Sequence, residues 1–71
     1  MMAALHTQMA CAAQNFILSH FMNRSLKVYC GHKGEAYEGK VSSCADGILT
    51  LDCNGKKIFI ACDKIESMQE P

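Results

Sequence analysis

The spacing of apolar and polar positions changes once along the chain, close to residue 24. Before that point Leu5, Met9, Ala12, Ala13, Phe16, Ile17 and Phe21 recur at steps of three and four, the spacing of one face of a helix. Thr7, Gln8, Gln14, Asn15 and Ser19 fill much of the remainder, and residues 2–22 contain neither Gly nor Pro. Ala, Met, Leu and Gln dominate this stretch and favour helix, so a helix is predicted over 2–22, ended by Asn23-Arg24-Ser25. Beyond it the period falls to two, as strands require. Leu26, Val28 and Cys30 alternate with Lys27 and Tyr29 in a first strand over 26–31. Tyr37, Gly39 and Val41 alternate with Glu38, Lys40 and Ser42 in a second, over 35–43. A third runs over 48–53, with Leu49, Leu51 and Cys53 opposite Ile48, Thr50 and Asp52. The fourth, 57–61, is apolar on both faces and is expected to be covered on both; a short fifth occupies 64–68.

The punctuation agrees with this reading. His32-Lys33-Gly34 and Ala45-Asp46-Gly47 are turns, and Asn54-Gly55 calls for a type I′ hairpin. Gly39 interrupts the second strand, where a missing side chain permits a sharp bend or a close neighbour. A helix over 2–22 followed by strands over 25–69 predicts a mainly β fold, a single domain spanning 1–71 with a five-stranded antiparallel small barrel. The fourth strand has a further implication. No Pro and little charge blunts the edge at Ile58, Phe59, Ile60 and Ala61, so it is a template for pairing. Ile58, Phe59 and Ile60, with Ile65 and Met68 of the last strand, form the expected contact between copies, a head-to-tail joint that closes into a ring if the rotation permits.

Composition narrows the partners. Seven Lys and Arg balance seven Asp and Glu, and aromatics are 7% with no Trp, so neither a general basic footprint nor extensive base stacking is advertised. Lys56 and Lys57 beside Asn54-Gly55 are the best local patch. No apolar run reaches the length of a membrane span, and no membrane partner is expected. Five cysteines, an odd number without a secretory leader, argue against an extracellular disulfide framework and for a cytoplasmic setting. Their spacing contains no C-x₂-C knuckle, so no metal or other cofactor is expected. Strand parity places Cys30 with Val28, Cys53 with Leu51 and Cys62 with Ile60, sites where Cys serves as a small hydrophobe. No nucleophile-and-base arrangement is visible, and catalysis is not expected.

Gly34, Tyr37, Gly39, Val41 and Asp46 reproduce a Gly-x-x-apolar-x-Gly-x-apolar spacing followed by an Asp that opens the third strand. Ile60-Ala61-Cys62-Asp63-Lys64-Ile65 keeps both isoleucines and the acid of an Ile-Arg-Gly-Asn/Asp-x-Ile motif. In these residues, and in the helix before the first strand, the chain resembles the Sm-like (LSm/Hfq-like) family over about residues 14–69. The resemblance implies an SH3-like small barrel, assembly as a hexamer or heptamer, and single-stranded RNA binding at Asp46, Ile48, Thr50, Ala61, Cys62, Asp63 and Lys64, with Lys56 and Lys57 on the rim. The departures fall on the base-contacting positions. Ala61 stands for the stacking Arg, Cys62 for the adjacent Gly, Thr50 for an Asn, and Ile48 for the aromatic of the Hfq branch, whose Lys-His pair is replaced by Cys62 and Asp63. Two readings remain: a homo-oligomeric ring that binds RNA, or acts as an RNA chaperone, through an altered uridine pocket, and a non-catalytic structural or adaptor module that binds protein through its ring face or helix.

Overall fold

The computed structural model describes residues 12–31 and 33–71. The expected helical positions 2–11, with Leu5 and Met9, and the turn residue His32 lie outside the described residues. Helix α1, Ala12–His20, is followed by strands β1 (Ser25–Cys30), β2 (Glu35–Ala45), β3 (Ile48–Cys53) and β4 (Lys56–Ala61). A 3₁₀ turn, η1, spans Cys62–Lys64, and β5 spans Ile65–Gln69. Every strand pairing is antiparallel, and the sheet runs in the order β4-β3-β2-β1-β5. The fold is thus mainly β, a helix followed by a five-stranded antiparallel sheet. Among the described residues β4 and β5 are not paired with each other, so the ladder has two edges instead of closing as a barrel.

The helix ends because Asn23 adopts φ 63°, the left-handed conformation that asparagine tolerates at a C-terminus. The Asn23 N–H donates to the Val41 carbonyl at 3.0 Å, and the Val41 N–H to the Arg24 carbonyl at 2.9 Å, which sew the helix exit to β2. The Arg24 guanidinium donates to the His20 carbonyl at 3.0 Å, satisfying an orphan acceptor of the last turn, and also reaches Glu70 at 3.2 Å. Among the described residues Ile17 is the one fully buried helix residue, flanked by half-buried Ala13 and Phe21. The docking stripe is narrower than expected. Phe16 and Ala12, both expected on it, are exposed, as is Leu18 on another face.

One core lies between α1 and the sheet: Ile17, Leu26, Val28, Cys30, Val41, Cys44, Leu49, Leu51, Ile60 and Cys62. On β1 the expected inward set is the observed one. On β2 the register shifts between Val41 and Ser43, leaving Ser42 as an extra residue, so Val41 and Cys44 both face inward although three apart. Both two-residue reversals carry the positive φ angles of a type I′ turn: Asp46 and Gly47 at 55° and 76°, Asn54 and Gly55 at 54° and 86°. Two expectations need correction. Lys64 belongs to η1, because the chain must turn before it can pair with β1, and β5 begins at Ile65. Strand β4 is covered on one face only: Ile60 is buried, whereas Phe59 is 69% exposed because none of the described residues packs over it on that face of the edge strand.

Candidate functional site

The candidate residues fall at two opposite ends of the β3–β4 pair. At one end the β2–β3 turn meets η1. The Gly47 N–H donates to Gln14 Oε1 at 2.7 Å, and the Gly47 carbonyl accepts from the Cys62 N–H at 2.8 Å. This clasp joins helix, turn and η1. It leaves Asp46, Asp63 and Lys64 exposed and close in the fold, with Ile48 partnered across the ladder by Ala61. Cys62 and Thr50, by contrast, are buried. Both present little surface to a ligand in the single chain, Cys62 within the core and Thr50 across the ladder from Phe59.

The charge around Lys64 is adverse to a phosphate. Cys30, Gly31, Glu35, Asp63, Lys64 and Glu66 line a depression of about 470 Å³. One lysine there faces three carboxylates, and the Cys30 thiol is pushed up by burial first and then by Glu35 and Glu66. A polyanion is repelled from such a surface.

The opposite end is the β3–β4 hairpin. Asp52 Oδ1 accepts the Gly55 N–H at 3.0 Å and Oδ2 accepts from Lys57 Nζ at 3.3 Å. The Gly55 amide, then Lys57, and more weakly Lys40 hold the Asp52 carboxyl below its ordinary value. Lys56 is exposed on the other face of the same hairpin strand. A groove of about 350 Å³ runs beside it, lined by Ser25, Glu38, Gly39, Lys40, Asp52, Cys53 and Asn54. Of the described lysines, Lys40, Lys56 and Lys57 therefore share this end. Asp52 was not among the residues the sequence singled out. Its position two before Asn-Gly is the signal, since an Asp there accepts the amide three residues on.

The expected contact residues also separate. Ile60 is core, Ile58, Ile65 and Met68 are half-buried against that core, and Phe59 alone projects from the β4 edge. Among the described residues no group of three or more His, Cys, Asp or Glu side chains is placed to hold a metal ion. No helix among them is long and apolar enough to cross a membrane.

A family model matches residues 13–70, which runs from the start of α1 to just past the end of β5. No curated protein and no solved structure matches the chain. The matched stretch takes in the clasp, the hairpin and both sheet edges, and by it the chain belongs to the family described as domain of unknown function DUF6897.

Proposed function

We propose that this chain is an Sm-like homo-oligomer that binds single-stranded RNA along the lysine-bearing β3–β4 hairpins of its copies. The observation that carries the reading is the pair of open edges, with Phe59 69% exposed on β4. An edge strand leaves N–H and C=O groups unpaired, and joining the β4 edge of one copy to the β5 edge of the next satisfies both rows. A head-to-tail joint of this kind is heterologous, so repetition produces a closed ring or a filament. Each added copy repeats Lys40, Lys56 and Lys57, so a modest local charge becomes a multivalent one. Lys57 shares its charge with Asp52, and Ala61 supplies no guanidinium face, so affinity rests on phosphate contacts and falls steeply with salt.

Light scattering gives the mass in solution, and polarisation of a labelled oligouridylate gives RNA binding across a salt series. A mass of six or seven chains, salt-sensitive binding, and loss of that binding in the K56E/K57E variant support the reading. A monomer sinks the edge-pairing argument, and unchanged binding in the charge-reversed variant removes the hairpin as the site. The exposed Phe16 and Leu18 on α1 favour the second reading, an adaptor that binds protein through its helix. Under that reading the Phe16→Ser variant loses a partner while the mass and the RNA signal do not change.

A further inference from the structure

Neither the sheet edges nor the hairpin uses the sulfur chemistry beneath the clasp. Cys44, near the end of β2, and Cys62, the first residue of η1, hold their sulfurs 3.8 Å apart. Both side chains are buried, at 3% and 2% exposure. Two features bring them together. The extra residue Ser42 turns Cys44 inward, and the Cys62 N–H bond to the Gly47 carbonyl fixes η1 against the turn that ends β2. The separation is that of a thiol–thiol hydrogen bond in which either sulfur can donate, not of a covalent bond, since a disulfide is about 2.05 Å long.

We propose that Cys44 and Cys62 form a redox-active dithiol that a hydroperoxide converts to an intramolecular disulfide. One sulfur, as thiolate, attacks the peroxide oxygen; the O–O bond breaks and an alcohol or water leaves, giving a sulfenic acid. The second sulfur attacks the sulfenic sulfur, the S–S bond forms and the hydroxyl departs as water. Two thiols and one peroxide thus become one disulfide, one alcohol and one water, the sulfurs losing two electrons that the peroxide gains. Contact between the thiols is what favours this outcome, because the sulfenic acid meets a second thiol before further oxidant. Access comes through α1, which packs on β2 and η1; Ile17 and the Gln14–Gly47 bond are among the described contacts that hold it there. Partial release of one short helix uncovers the pair without unfolding the sheet.

The test uses the full chain, reduced, freed of reductant and titrated with hydrogen peroxide. Thiol counting, intact mass and non-reducing peptide mapping are read together, with thermal melting of the product. The expected result is joint loss of two thiols and two hydrogens, a single Cys44–Cys62 cross-linked peptide, and full reversal by dithiothreitol. The oxidised chain melts on the order of 10 °C higher, because the bridge constrains the unfolded chain. The Cys53→Ser variant gives the same cross-link. Sulfinic acid at Cys44 or Cys62, a bridge to any other cysteine, or both thiols intact after Cys53 is fully oxidised overturns the proposal.

Discussion

Replacing Gly39 by alanine tests a close approach of β2 to β3. A Cβ at this position meets the Asp52 carbonyl oxygen at 2.8 Å, the Asp52 carbonyl carbon at 3.1 Å and Leu51 Cβ at 3.2 Å. The first two are backbone atoms of β3, paired to β4 on the far side, so neither yields as a flexible side chain does. Gly39 does not occupy the left-handed region, so backbone strain plays no part. Overpacking of this kind costs about 1–3 kcal/mol. Against it stands the lower unfolded-state entropy of alanine, which favours the variant by about 0.4–1 kcal/mol. The net loss is therefore roughly 0–2.6 kcal/mol, with a central value near 1.3, a sizeable part of the roughly 4–10 kcal/mol that a chain of this length possesses. At about 4–8 °C per kcal/mol a central value lowers Tm by roughly 5–10 °C. Urea unfolding followed by far-ultraviolet circular dichroism measures it, with an unchanged slope and a lower midpoint as the expected pattern. A midpoint above that of the parent refutes the reasoning, since only the contact opposes alanine here.

Truncation of Ile17 to alanine removes a fully buried helix residue and is expected to cost about 2–5 kcal/mol, read as a lower urea midpoint. For Asp52 the sign follows from its depressed pKa: its stabilisation is present above the unfolded carboxylate value near 4 and is lost as pH falls through the lower folded value. Asp52→Asn accordingly flattens the acid limb of a Tm-against-pH curve and leaves its slope near pH 7 unchanged. Iodoacetamide at pH 8 is expected to label half-buried Cys53 before Cys30, Cys44 or Cys62, which are buried, with Cys30 further slowed by its raised thiol pKa. Mass mapping of a time course checks the order.

What was legible in the sequence was the part governed by local rules. Period-two alternation placed β1 and β3, and Asp46-Gly47 and Asn54-Gly55 adopt the positive φ angles their residue types permit. What was not legible depends on neighbours. The extra residue at Ser42 alters the parity of β2, and nothing in Val41-Ser42-Ser43-Cys44 signals it, because a bulge is settled by the partner strand. An apolar β4 reads as covered on both faces, yet the helix covers only one side of the sheet, and Phe59 is left out. The helix stripe was read too wide for the same reason: docking on a curved sheet uses Ala13, Ile17 and Phe21 and turns Phe16 away. Of the candidate site, the lysines at Lys56 and Lys57 were legible as a patch. The Asp52 bond that partly neutralises Lys57 arises from hairpin register, which sets Asp52 opposite Lys57.

The clasp at Gly47 makes one peptide unit report on two elements. Its N–H is occupied by a helix side chain and its carbonyl by the amide that opens η1. When α1 lifts from the sheet, the Gly47 amide proton is released to solvent, while the Cys62 amide stays bonded until the turn itself opens. Hydrogen–deuterium exchange at these two backbone positions therefore separates loss of the helix from loss of the sheet within one molecule. The helix is observed leaving through a proton that belongs to a strand turn.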